Sequence, residues 1–387
     1  MSALRRFFCD WRQYRAFKRL DRSVRQIVIY AESGQDWHHF APVISEITRR
    51  YQKTVCYVSS DPDDPGLSQP DPGILPFCIG PGLFRIMFFQ MLEADVMLTQ
   101  MLDLGNLDLQ RSVHPVHYIY MFHSLISTHM ADYANSFDNY DSILCAAPHQ
   151  REEIRKRENL HGLKPKRLFE HGYHRLEQLI AEDHAAPEII DRSDIHVLLA
   201  PSWGDQTILN LCGKELVGIL LDAGFRLTLR PHFQTRWNTP EVLDGIIATY
   251  ATHARFALVE QMGETDSLYD SHIMMTDWSG AGMDYGLGLE KPVLYVDVPP
   301  KSRNDTYPEL EMEPFESYVR DKIGALVAPE RLAEAPAMIL SLLENPDQFS
   351  QRVRQLREDC VFNLGRSSEA AAAAIVEVAD EIAREQR

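Results

Sequence analysis

Residues 273–296 read IMMTDWSGAGMDYGLGLEKPVLYV. A short apolar run ends in Thr276, Asp277, Trp278 and Ser279, small residues then open a helical stretch, and Lys291-Pro292 leads into a second apolar run at 293–296. Strand, turn, helix and strand in one compact stretch form the repeating unit of a parallel α/β sheet. The first turn of such a helix presents unpaired amides beside the carboxyl end of the preceding strand. Ser279 and the close backbone approach allowed by Gly280 make that turn a seat for a diphosphate, with Asp284 one turn later placed to meet a hydroxyl. Asp277 or Ser279 can equally close the helix's own first turn as a cap.

Short β-branched or aromatic runs alternate with amphipathic stretches on both sides of this unit. Strands are expected at 196–200, 226–229, 256–259 and 325–327 beside it, and upstream at 26–31, 54–58, 94–98, 117–122, 142–145 and 167–169. The polar stretch EDHAAPEIIDRSD at 182–194 separates the two series, and DPDDPGLSQPDPG at 61–73 reads as a surface loop because its prolines fix φ and remove donors. The expectation is two Rossmann-like, doubly wound α/β domains facing a cleft, 26–190 and 195–345. Residues 346–387 read as helices that bridge the lobes, with serines suited to capping before SSEAAAAAIVEVADEIARE.

The chain has 387 residues and a formal charge of -17, which argues against wrapping duplex nucleic acid. Six cysteines without a CxxC pair suit reduced thiols in the cytoplasm. No apolar run is long enough to span a bilayer. Residues 1–25 depart from the acidic balance, with eight Arg or Lys against Asp10 and Asp21, and with Phe7, Phe8, Trp11, Tyr14 and Phe17 at roughly helical spacing. Such a basic amphipathic helix suits an anionic membrane surface on the inner face of the cell membrane, the alternative being an aromatic face packed on the body with solvated arginines.

Ligands of open α/β sheets sit beyond the carboxyl ends of strands. HYIYMF ends at His123, a candidate general base, or else a buried histidine satisfied by a carbonyl. RLTLRPHF sets Arg230 and His232 around Pro231, a pairing that suits phosphate oxygens, although Arg230 can instead pair with an acid. PSWGDQ brings Ser202 and Trp203 to the cleft edge, as a base or acceptor contact or as a simple turn. The pairs His114 with His117 and His171 with His174 lack a carboxylate or cysteine at metal-site spacing, so no metal and no cofactor is expected. No GxxxxGK[ST], GxSxG or GxGxxG motif is present, and the first strand's turn reads ESGQDW.

At these same residues the sequence resembles the CDP-glycerol glycerophosphotransferase family of teichoic-acid primases and polymerases, over roughly residues 90–300. TDWSGAGMDYGLGLEKPVLYVDV is similar to its strand, TDYSS, Asp and KPV pattern, YMFHS to its strand ending in His-Gly, LAPSW to APTW, LRPHF to its second histidine motif and HGYHRLE to GYPRND. The resemblance implies a GT-B-like fold in which 26–190 is an acceptor domain and 195–345 a nucleotide-donor domain. With it come His123 as general base, and His232 with Arg230, Ser279 and Thr276 on the donor's diphosphate, Asp284 contacting donor hydroxyls. It implies transfer of glycerol phosphate or a related polyol phosphate from a CDP-linked donor to a glycan or lipid-linked acceptor. Ser124, Gly280, His174 and Glu177 depart from the family's pattern. Two alternatives stay open: glycosyl transfer from a nucleotide sugar, and a catalytically silent nucleotide-binding module.

Overall fold

The computed structural model describes residues 3–106, 109–185, 193–260 and 266–385. Seven parallel strands form the first sheet: β1 Ile27–Ala31, β2 Val55–Ser59, β3 Ile74–Cys78, β4 Val96–Thr99, β5 His117–Met121, β6 Ser142–Cys145 and β7 Arg167–Glu170. Their order is β3-β2-β1-β4-β5-β6-β7. Six more form the second: β8 His196–Leu199, β9 Arg226–Leu229, β10 Phe256–Leu258, β11 Ile273–Thr276, β12 Val293–Val296 and β13 Gly324–Val327, in the order β10-β9-β8-β11-β12-β13. Both sheets reverse direction beside their first strand, between β1 and β4 and between β8 and β11, which opens a crevice at the carboxyl edge of each.

This is the doubly wound, two-lobed α/β architecture expected from the alternation of apolar runs. Strand β3 was not among the expected strands, because Pro76 lies in its middle. It is the edge strand, where a missing amide donor breaks no ladder on its outer side. Residue 190, the expected end of the first domain, lies outside the described residues.

The lobes meet through the loop after β5, where Glu316 accepts the Ser127 amide and Asn304 donates to the His129 carbonyl, and through two helices. His174–Ala185, which follows β7, packs on Gly280–Leu289, which follows β11. The contact is close because the second helix presents glycine there: a Cβ at Gly288 would lie 3.1 Å from the Leu179 Cβ and 3.2 Å from the Leu176 Cδ1. Helix Pro346–Cys360 lies on the second lobe, where Arg357 pairs with Glu290. Helix Ser367–Glu385 then returns to the first, burying Ala371, Ala372, Ile375 and Val378 with Ile27, Ile29, Ile44 and Leu98.

The returning chain passes directly over Gly172, whose φ is +101° and whose Cβ, if it had one, would lie 2.3 Å from the Phe362 carbonyl oxygen. Only glycine meets both demands. Gly172→Ala is expected to lower stability by about 3 kcal/mol, read from urea denaturation, through left-handed strain and a backbone clash. A change within experimental error would contradict the close approach.

Candidate active site

The turns after β8, β9 and β11 are locked to one another by buried polar groups. Asp277, 1% exposed, accepts the Ser202 amide at 2.8 Å and the Ile208 amide at 3.1 Å. Thr276, fully buried, donates its hydroxyl to the Ala200 carbonyl at 2.6 Å. Thr276 is expected on the donor's diphosphate, and Asp277 either in the donor site or as a cap of the helix that follows it. Their polar atoms are instead spent holding the PSWGDQT turn against the end of β11, because two adjacent loops that carry few backbone partners of their own need internal acceptors. Ser202 is likewise 6% exposed and contributes through its amide.

Around this frame a cavity of about 360 Å³ opens at the carboxyl edge of the second sheet. Arg230 and His232 reach it from the end of β9, Ser279 and Asp284 from helix Gly280–Leu289, and Gln35 and Arg175 from the first lobe. Ser279 caps that helix, its hydroxyl accepting the Ala281 amide at 3.3 Å. Gly280 stands at the first turn with its nearest neighbour, Ile126, 3.9 Å from where a Cβ would be, so its backbone is approachable.

His232 caps helix Phe233–Asn238, its Nδ1 accepting the Gln234 amide at 3.2 Å. Burial, and then the nearby Lys301 charge, pull its pKa down to about 4. A neutral ring with Nδ1 occupied as an acceptor carries its proton on Nε2, so His232 offers a hydrogen bond to an anion rather than a free basic nitrogen. Trp203 stacks beside it, ring centroids 6.0 Å apart, and the Lys301 ammonium lies 4.0 Å over the indole. Trp203 is therefore part of a cationic wall rather than a wall lining of the cavity itself.

Asp284 accepts the Tyr173 hydroxyl at 3.2 Å, a hydrogen bond that crosses between the lobes. Burial raises its pKa to about 6 against the opposing pull of Arg175. Arg175 was missed as a cavity residue, and Lys301 as the charge beside Trp203 and His232. Arg175 sits in the HGYHRLE stretch already singled out, and its spacing from Tyr173 was the available signal; Lys301 lies in a loop with no local pattern.

His123 does not line this cavity. It follows β5 into a small recess with His39, His171, His174, Ser367 and Ser368. The His39 and His123 rings are 4.9 Å apart, and His123 Nδ1 is buried without a hydrogen-bond partner. Gln150 fixes the loop that follows, accepting the Ala146 amide and donating to the Ser124 carbonyl at 2.9 Å. The recess and the cavity are built from the same two segments, since Gln35 and His39 flank the start of one helix and His174 and Arg175 are consecutive. Among the described residues no cluster of His, Cys, Asp and Glu has metal-holding geometry, the four histidines included.

A larger recess of about 640 Å³ lies at the opposite, amino edge of the second sheet. Its Lys291 ammonium, from the KPV end of the 273–296 stretch, is already donated to the Tyr269 carbonyl at 2.6 Å, and none of the residues at the carboxyl ends of the strands lines it.

No family model and no curated protein matches this sequence. In fold the chain is similar to the wall teichoic acid polymerase TagF with CDPG, 13% identical over 98% of this chain and 99% of that one, TM-score 0.52. It is similar to MnaA of S. aureus with UDP, 13% identical over 89% and 94%, TM-score 0.54. It is similar also to a glycosyltransferase from Rickettsia africae, 12% identical over 92% and 98%, TM-score 0.52. The protein has the GT-B-like fold, two Rossmann-like lobes facing a cleft.

Burial pulls His39 down to about 3 and His123 and His171 down to about 4. A histidine whose folded pKa lies below its unfolded value near 6.5 takes its proton first in the unfolded chain. The recess therefore loses no stability above pH ~6.5 and loses it progressively as the pH falls toward ~4. In a proton NMR titration the ring resonances of these three are expected to hold still from pH 8 to 5. Movement centred near pH ~6.5 would show that the rings are solvated.

Proposed function

We propose that this chain is a transferase that takes a phosphorylated polyol, glycerol phosphate in the first instance, from a CDP-linked donor and passes it to a hydroxyl of a cell-envelope glycan or lipid-linked acceptor. The observation that carries the reading is the convergence of Arg230, His232, the capped first turn at Ser279 and, from the opposite lobe, Arg175 on one cavity. Guanidinium, imidazole N–H and helix amides are the donors that a diphosphate accepts from. The likeness of fold to TagF supports the reading, and so does the motif order along the chain.

In this mechanism the acceptor oxygen attacks the donor's β-phosphorus and its proton passes to the His123 imidazole. The bond between the β-phosphorus and the bridging oxygen breaks, and CMP leaves with the electron pair. Cationic and N–H groups already aimed at the diphosphate stabilise the charge that develops on the leaving phosphate. His123 is neutral at physiological pH, the state a base requires; its ring meets the Met121 backbone, while Nδ1 is buried without a partner. In this reading Asp284, which lines the cavity, accepts a donor hydroxyl, and Thr276 and Asp277 act through the turn they hold.

The donor screen decides among the readings. CMP release from CDP-glycerol in the presence of a saccharide or lipid-linked acceptor is expected, whereas UDP release from a UDP-sugar alone would replace this reading with glycosyl transfer. Binding of either nucleotide without turnover would leave a silent module.

Two variants separate the roles. His123→Ala is expected to lower kcat at least about 100-fold with donor affinity retained, as for loss of a general base. Arg175→Ala is expected to weaken donor binding about tenfold or more, measured by calorimetry, as for loss of a charge-assisted contact. Unchanged donor affinity would remove Arg175 from the site.

A further inference from the structure

Helix Ala3–Lys18 is held to the body along one side only. Phe17 is fully buried, its ring 5.5 Å from Phe77 and 5.1 Å from Phe88, and Lys18 donates to the Met91 carbonyl and pairs with Glu93 just before β4. In the other direction the Asp10 carboxylate lies over Gly80, two residues past β3, and Phe7 packs on Phe84 at 5.1 Å. The helix thus runs from the carboxyl edge of the first sheet, where its N-terminal half stands, back to the amino edge.

The outward side is regular. Phe8, Trp11, Arg12, Arg15 and Arg19 follow at i, i+3, i+4, i+7 and i+11, the spacing of one helical face, and all five are exposed. Phe8 is 56% exposed and Trp11 41%, with the Arg15 guanidinium 4.9 Å over the indole. Arg5, also exposed, extends the stripe by a turn. The helix has one acid, Asp10, and it faces the body. A chain of charge -17 therefore keeps one face purely cationic and interleaves it with aromatic rings left in water.

That combination selects the occupant. An anionic bilayer takes the rings into its headgroup boundary while the guanidinium groups meet lipid phosphates. A duplex would use the arginines and leave the rings in solvent, and a single strand, whose bases could stack on the rings, would still be repelled by the rest of a chain of charge -17. No described helix is long and apolar enough to cross a membrane, so the contact is interfacial. We propose that this face docks the protein on an anionic lipid bilayer with the helix lying in the interface. The docking end and the carboxyl ends of β1 to β5 share one edge of the molecule, so a lipid-borne hydroxyl would reach the cleft from the membrane. Only that last clause rests on the transferase reading.

The test is sedimentation of the full chain with phosphatidylcholine vesicles, with and without about a third phosphatidylglycerol. Binding to the anionic vesicles alone, weakened by salt, is expected. The pair Phe8→Ser with Trp11→Ser, and the triple Arg12→Glu, Arg15→Glu and Arg19→Glu, should each lower the partition coefficient at least about tenfold. Thermal melts and donor binding should stay unchanged, since these side chains are exposed and line no part of the cavity. Equal binding to neutral vesicles, an aromatic pair that binds like the parent, or capture of an oligonucleotide in place of vesicles would overturn the proposal. None of these outcomes depends on turnover, so this proposal and the donor screen fail separately.

Discussion

The close approach of the two lobes beside the cavity depends on the glycine-bearing face of helix Gly280–Leu289. Gly282 lets the helix sit against Thr276 and Tyr295 of its own sheet, and Gly288 lets Leu176 and Leu179 of the opposite lobe approach to near backbone distance. Side chains at these positions would push helix His174–Ala185 outward, and Tyr173 and Arg175 would leave Asp284 and the cavity with it. The same helix supplies the capped amides at its start. One element thus sets both the distance between the lobes and the anion-binding end of the site, which couples packing directly to the proposed chemistry.

A second level of order lies in polar groups that never face the cavity. The Asp277 carboxylate takes two amides from the turn after β8, and Thr276 takes that turn's Ala200 carbonyl. In a buried loop an unpaired amide is costly, so these residues stabilise a single conformation of the cavity wall. His232 shows the same economy of roles, capping one helix through Nδ1 and leaving Nε2–H for a ligand. On the first lobe Gln150 holds the Ser124 loop, and Glu316 of the second lobe accepts the Ser127 amide at 3.0 Å. The segment after His123 is therefore fixed from both sides of the cleft.

Much of the fold was legible because hydrophobic periodicity is local. Twelve of the thirteen strands lie where apolar runs alternate with amphipathic stretches, and the exception, β3, was hidden by Pro76, whose tolerance depends on being at an edge. Site residues were less legible. Arg230, His232, Ser279 and Asp284 follow strand ends and do converge, whereas Thr276 and Asp277 stand in the most distinctive motif and turn inward. A motif records that residue types are needed together; it does not record which of them face a ligand and which hold the loop.

The sequence by itself determined two parallel α/β lobes, a cationic aromatic helix ahead of them, and strand ends that carry phosphate-binding residue types. Only the tertiary structure decided that Arg175 crosses from the first lobe to the second lobe's cavity, that His123 sits in a recess of four histidines, and that the first helix buries Phe17 while Phe8 and Trp11 stay exposed. Periodicity fixes which face of an element is apolar, because that follows from the 3.6-residue and two-residue repeats. Which other element meets that face is a long-range packing outcome, set by side-chain volumes far apart in the chain, such as the glycines under Leu176 and Leu179.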